Sequence, residues 1–135
     1  MRTTTFKWVF PIAFLTICVA FLAFKPAPAK LAETTLYFKY QSASDFSSAA
    51  VTSNNNWKLV APSEICEQET DDVACSFSIT VPEFEEASYL TGPNPSSRVQ
   101  IQANGTGTKY HVDDVLDIAS PSNNLLPDIA NIEEP

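Results

Sequence analysis

Histidine, glycine and basic side chains are scarce in this chain, and each shortage removes a class of chemistry. The 135 residues include one histidine, His111, and three glycines, Gly92, Gly105 and Gly107. A metal site needs three or four ligands, and His111 has only Asp113 on its own face if it lies on a strand, with Asp114 pointing the other way. None of the glycines flanks a serine, so the strand–turn–helix elbow that presents a nucleophilic serine is missing. The eight Lys and Arg residues are scattered among 16 acids. Binding to nucleic acid or to anionic lipid depends on clusters of such cations, so both partners are unfavoured.

The chain has one long apolar run, Trp8 to Phe24 (WVFPIAFLTICVAFLAF), behind a short basic start at Arg2 and Lys7. Ala27-Pro28-Ala29 follows, with small residues at the minus-three and minus-one positions of a cleavage site. Basic, apolar, then small-x-small is the grammar of a secretory signal peptide over residues 1–29, with Ala27 and Ala29 at the site. The alternative is a retained membrane anchor over residues 8–24. Such a helix is roughly 25 Å long at 1.5 Å per residue, short of a hydrocarbon core of about 30 Å. Lys25 and Lys30 also blunt the charge asymmetry that would hold it. Cys18 follows Ile17 in mid-run, where it reads as apolar filler and not as a lipid attachment point.

Past the leader, five cations (Lys30, Lys39, Lys58, Arg98 and Lys109) face all 16 acids, a net charge of −11. Charge of that size keeps a small exported protein dispersed. The two remaining cysteines, Cys66 and Cys75, are expected to bond in an oxidising compartment. Closing a loop of about ten residues contributes roughly 2.5–3 kcal/mol. That is a large share of the stability of so small a domain. A redox or metal-binding thiol pair favours the tighter C-x-x-C spacing.

Strand patterning fills the region from 30 to 118. In Thr35–Gln41, Leu36, Phe38 and Tyr40 share one face. Ser42–Ser53 reads as a loop or weak strand whose large apolar residues are Phe46 and Val51. Trp57, Leu59 and Ala61 share a face of a strand that Pro62 closes. Cys75–Val81 is the clearest strand: Cys75, Phe77, Ile79 and Val81 point inward, and Ser76, Ser78 and Thr80 outward. Glu83–Leu90 suits one or two helical turns after Pro82. Arg98–Val112 reads as a hairpin in which Val99, Ile101 and Ala103 share a face with Tyr110 and Val112. That sharing demands an even loop, either Asn104-Gly105 or the four residues Asn104 to Gly107. Asp113–Ile118 adds a short strand or turn. Residues 119–135 have the polar, proline-punctuated composition of a disordered tail. There is no internal repeat.

Candidate chemistry is thin. His111 with Asp113, and the carboxylates Glu83, Glu85 and Glu86, are the residues a small hydrolase would have to use. His111 falls with Lys109 on the polar face, which suits a solvated histidine. The acidic run Glu67-Gln68-Glu69-Thr70-Asp71-Asp72 lacks the glycine and fixed spacing of a calcium hand and reads as a solvated loop tip. Asn104-Gly105-Thr106 matches a glycosylation sequon, though a hairpin turn accounts for the same residues. Tyr37 and Tyr89, if exposed, would suit a carbohydrate or peptide contact surface.

A leader ending in AFKPAPA, a Tyr-Phe-rich strand (LYFKYQS), the strand NNNWKLV and a C-x8-C pair running into SFSITV together resemble a family of short exported Bacteroidetes-type proteins of unknown function. The resemblance covers roughly residues 10–81. It implies export and a disulfide and carries no catalytic or binding residue. The expected fold is all-β, a small antiparallel meander or sandwich-like domain with one disulfide. The expected role is non-catalytic, a structural or interaction module outside the cytoplasm, with no catalytic, cofactor-binding or metal residues and no identifiable partner. Membrane contact is expected only through an uncleaved leader.

Overall fold

The computed structural model describes residues 29–68, 70–120 and 125–134. The compact unit described here is Leu31–Pro135. The leader reading and its alternative anchor lie outside the described residues, except for Ala29, which is exposed.

Among the described residues there are eight strands: β1 (Glu33–Tyr40), β2 (Trp57–Val60), β3 (Val73–Pro82), β4 (Leu90–Thr91), β5 (Asn94–Pro95), β6 (Val99–Thr106), β7 (Lys109–Asp117) and β8 (Asp128–Ile132). A four-residue helix, α1 (Ser48–Val51), two short 3₁₀ turns (Asn54–Asn56 and Pro62–Glu64) and a longer 3₁₀ segment, Glu83–Tyr89, interrupt them. All-β architecture with antiparallel sheets and one disulfide is therefore the observed fold.

The main sheet runs in the order β2-β1-β3-β8, all antiparallel, with β6–β7 a separate hairpin and β4–β5 a short ribbon. This is not the order of a meander. β3 takes a central place because it is buried continuously from Val73 to Ile79, and such a strand needs neighbours on both edges and cover on both faces. Ser76 and Ser78 are buried rather than outward as the alternation predicts. The connection after β2 lies over them, and the Cys66 N–H donates to the Ser76 hydroxyl at 3.0 Å. Small hydroxylated residues are what that close cover accepts.

The inner face follows the alternation of β1. Leu36, Phe38 and Tyr40 are buried, Phe38 opposite Phe77 and Tyr40 opposite Trp57. Trp57 packs edge-on against Phe77 at 4.8 Å between ring centroids and against Tyr40 at 5.0 Å. Its indole N–H donates to the Val51 carbonyl at 2.8 Å, so the deepest ring in the core has its polar atom satisfied. The segment expected as a loop or weak strand thus holds α1, capped by the Ser47 hydroxyl, which accepts from the Ala50 N–H. It seats Phe46 and Val51 in the core. Leu59 departs from its predicted face and is 38% exposed. β2 is a four-residue edge strand, and sheet twist carries its end off the core.

The hairpin supplies Val99, Ile101, Val112 and Val115 to the same core, making the domain sandwich-like. Ala103 faces Val112 as the shared-face reading requires, but the turn is Gly107-Thr108, not Asn104-Gly105. Gly107 has φ +66° at the first position of a two-residue loop, the arrangement of a type II′ turn. Gly105 instead sits opposite Tyr110, where a Cβ would meet the Lys109 carbonyl oxygen. The register then slips by one residue, leaving Asp113 unpaired as a bulge. The bulge lets Val112 and Val115 both face the core despite their odd spacing.

The expected disordered tail is also revised. Its Asp128–Ile132 segment is β8, paired with β3 from Val73↔Ile132 to Ser78↔Asp128. The ladder shifts register between Ala74 and Ser76, which leaves Cys75 without a β8 partner. Cys75 is buried at that bulge and bonds to Cys66, with 6.1 Å between the Cα atoms.

Candidate functional site

Two groups of ionisable residues have enough structure around them to be weighed as sites. The first lies where β6 begins and β7 ends. The pairing Val99↔Asp117 puts Arg98 beside Asp117, and the 3₁₀ segment brings Glu85, Ser88 and Tyr89 against them. Asp117 is 1% exposed. Its carboxylate accepts from Arg98 Nε (2.9 Å) and Nη2 (2.7 Å), from the Tyr89 hydroxyl (2.9 Å) and from the Ala119 N–H (2.9 Å). A carboxylate has about four acceptor directions, so Asp117 is saturated. Arg98 Nη1 donates to Glu85 and to the Ser88 hydroxyl, both at 2.8 Å, and the guanidinium lies 4.1 Å from the centre of the Tyr89 ring.

The electrostatics follow from this geometry. The Arg98 hydrogen bonds hold the Asp117 carboxyl down at about 2, against the opposing pull of burial. The same contact raises the Arg98 guanidinium further above its ordinary value. Burial, then donation to Asp117, pushes the Tyr89 phenol up to about 12. Each shift favours the paired state: ionised Asp, ionised Arg, neutral Tyr. A general acid needs the opposite, a carboxyl raised toward neutrality.

The second group surrounds His111. A depression of about 220 Å³ is lined by Gln68, Asp71, His111, Val112, Asp113, Ile129 and Asn131. His111 is half-buried there. Lys109, two residues before it, pairs with Glu134 at 2.7 Å, and Arg98 belongs to the cluster at the other end of the hairpin. The hairpin and the disulfide loop thus bring His111, Asp113 and Asp71 to one depression, although Asp71 is distant in sequence. Among the described residues, no three His, Cys, Asp or Glu side chains converge in a way that could hold a metal ion.

The other sequence candidates are dispersed. Glu85 is engaged by Arg98, while Glu83 lies at the start of the 3₁₀ segment, its N–H donating to the Ala32 carbonyl. Tyr89 is 3% exposed, which removes it from any aromatic contact surface; its burial follows from its bond to Asp117. Tyr37 is half-buried on the outer side of β1. Arg98, Asp117 and Ser88 carry the best-built polar cluster, and sequence reasoning missed it. A signal was present, since Asp117 stands two residues after Val115 and so shares its inward face. The bulge at Asp113 breaks the alternation that would have exposed it.

The Cys66–Cys75 disulfide suits an oxidising, non-cytoplasmic environment, where such bonds form and persist. Among the described residues no helix is long and apolar enough to cross a membrane. No family model, curated protein or solved structure matches this chain.

Proposed function

We propose that this protein is a non-catalytic structural or interaction module, exported from the cytoplasm and freed from its leader near Ala29. The observation that carries the reading is the saturated Asp117 cluster. The acceptor directions of the buried Asp117 carboxylate are filled by Arg98, Tyr89 and the Ala119 N–H, and these bonds tie the 3₁₀ segment to both strands of the hairpin. Export is supported by the disulfide and by the basic, apolar, small-x-small order of residues 1–29.

Recovering the protein from its own culture tests both parts. The expected results are an N-terminus near Lys30 in the exported fraction and no stoichiometric uptake of zinc or calcium. An N-terminus at Met1 in membrane fractions would overturn the cleavage. Tight one-to-one binding of either metal, abolished by His111→Ala or Asp113→Ala, would overturn the non-catalytic reading in favour of a site in the His111 depression.

A further inference from the structure

A pocket of about 130 Å³ lies where the connection between β2 and β3 passes over the main sheet. The connection contributes Ile65, β3 contributes Ser76 and Ser78, and β8 contributes Asp128 and Ile129. Ser76 is engaged, since its hydroxyl accepts from the Cys66 N–H at 3.0 Å. Ser78 is not. It is 9% exposed, and among the described residues its hydroxyl has no hydrogen-bond partner. Asp128, its register partner on β8, has no ion-pair or side-chain hydrogen-bond partner among them either. Opposed residues of an antiparallel pair share a face with Cβ atoms about 4.5–5.5 Å apart, so the free hydroxyl and the free carboxylate border one seat.

The chemistry of that seat selects its occupant. Among the described residues the pocket is lined by no Lys, Arg or His, so it offers an anion no partner. An ionised carboxylate only accepts, and a serine hydroxyl accepts as readily as it donates, so the complement is a cation rich in donors. At about 30 Å³ per water the space equals roughly four waters, well below the 300 Å³ or more of a pocket for a drug-sized ligand. It suits a compact head group with a few methylenes. A primary ammonium is such a head, with three donors on a point charge, whereas a guanidinium is a broad planar fork. Ile65 and Ile129 give the methylene stem an apolar lining. The nearest cation by register, Lys39, stands opposite Ser76 and so lies one row away from Ser78 and Asp128. The excess of acids over the whole domain concentrates cations around it.

We propose that this pocket binds a primary alkylammonium group, with the ammonium between Asp128 and Ser78 and its methylenes against Ile65 and Ile129. The buried Ser78 hydroxyl gains the partner it lacks, and the Asp128 carboxylate gains a counter-ion. The site rests on the interaction-module reading and supplies the class of ligand for it. Its failure would leave export and the absence of a metal centre untouched, because those are read from the N-terminus and from metal uptake.

The test is an NMR titration of the exported, disulfide-bonded protein with n-butylammonium chloride at fixed ionic strength. Saturable shifts are expected at Ser78, Asp128 and Ile129, with a Kd of about 1 mM for so small a ligand. Tetramethylammonium carries the same charge without an N–H donor and should leave those residues unmoved, which separates the pocket from general adsorption to an acidic surface. Asp128→Asn should weaken butylammonium about tenfold and Ser78→Ala about threefold. Glu83→Gln, which removes the same charge from the exposed 3₁₀ segment, should leave the affinity within about twofold. A second arm uses Nα-acetyl-lysine methylamide: binding as tight as that of butylammonium assigns the group to a lysine side chain of a protein, and exclusion assigns it to a free small amine. The pocket stands in both cases. No shift at Ser78 and Asp128 up to about 50 mM butylammonium, far above the expected Kd, would overturn it. So would an equal response to tetramethylammonium, or unchanged affinity in both pocket variants. The wild-type comparison of the two cations decides the matter even if a variant fails to fold.

Discussion

Replacing Asp117 by Asn tests whether the Arg98 cluster is what joins the 3₁₀ segment to the hairpin. The substitution keeps the shape of the side chain and an oxygen for the Tyr89 hydroxyl, but removes the charge facing Arg98. Breaking a fully buried ion pair costs about 3–5 kcal/mol. Arg98 remains 21% exposed and keeps Glu85, so the expected loss at pH 7 is about 2–3 kcal/mol. For a domain of this size that lowers the melting temperature by about 10–20 °C.

The pH dependence makes the test specific. The Asp117 carboxyl lies near 2 in the folded state against an ordinary value of 3.8, a lowered group. Its contribution is therefore complete above pH 3.8 and disappears as pH falls through 2. A difference of nearly two units corresponds to about 2 kcal/mol after allowance for solvent at Arg98. Other carboxylates titrate alike in both proteins and cancel. The stability gap between wild type and Asp117→Asn, measured by urea unfolding with circular dichroism, should shrink from about 2–3 kcal/mol at pH 7 to under about 1 kcal/mol near pH 2. A gap independent of pH, or an Asn variant as stable as wild type at pH 7, refutes the cluster's role.

Cys66→Ser, Cys75→Ser and the double variant each remove the same cross-link, so all three should lose about 2–3 kcal/mol and about 10 °C or more in thermal melts. A stable double variant, or two free thiols in protein from an oxidising compartment, contradicts the staple. Gly105→Ala must push on the Lys109 backbone, whereas a Cβ at Gly107 meets open space and only the positive φ opposes it. Denaturation should show about 1 kcal/mol lost at Gly107 and clearly more at Gly105; equal losses would place the turn elsewhere. At the basic end of the pH range, the Tyr89 phenol is raised to about 12, so its bond to Asp117 contributes fully below pH 10 and is lost as pH rises through 12. Tyr89→Phe should therefore be less stable than wild type at pH 8, with the difference narrowing toward pH 12. Ending the chain at Ser120 should unfold the domain by removing β8, and a truncated protein with native circular dichroism would return residues 119–135 to the status of a dispensable tail.

Composition and local period were enough for the class of fold, for the inward sets Leu36-Phe38-Tyr40 and Phe77-Ile79-Val81, and for the partnership of Cys66 and Cys75. These are legible because a half-buried strand repeats every two residues and because only two of the three cysteines lie outside the N-terminal apolar run. Strand order, the bulges at Asp113 and Cys75, and the turn at Gly107-Thr108 were decided by tertiary structure, since each depends on which distant strand lies alongside. β8 was hidden for the same reason: five residues (DIANI) behind Pro127, without strict alternation, have little strand character alone. Docked on β3, Asn131 finds both backbone groups of Val112, and an otherwise costly buried amide becomes satisfied. The Arg98 cluster follows that rule too. Glu85 and Tyr89 give no sign of it in a row of letters, and only the packing of the 3₁₀ segment against the hairpin brings them, with Arg98, onto the buried Asp117 carboxylate.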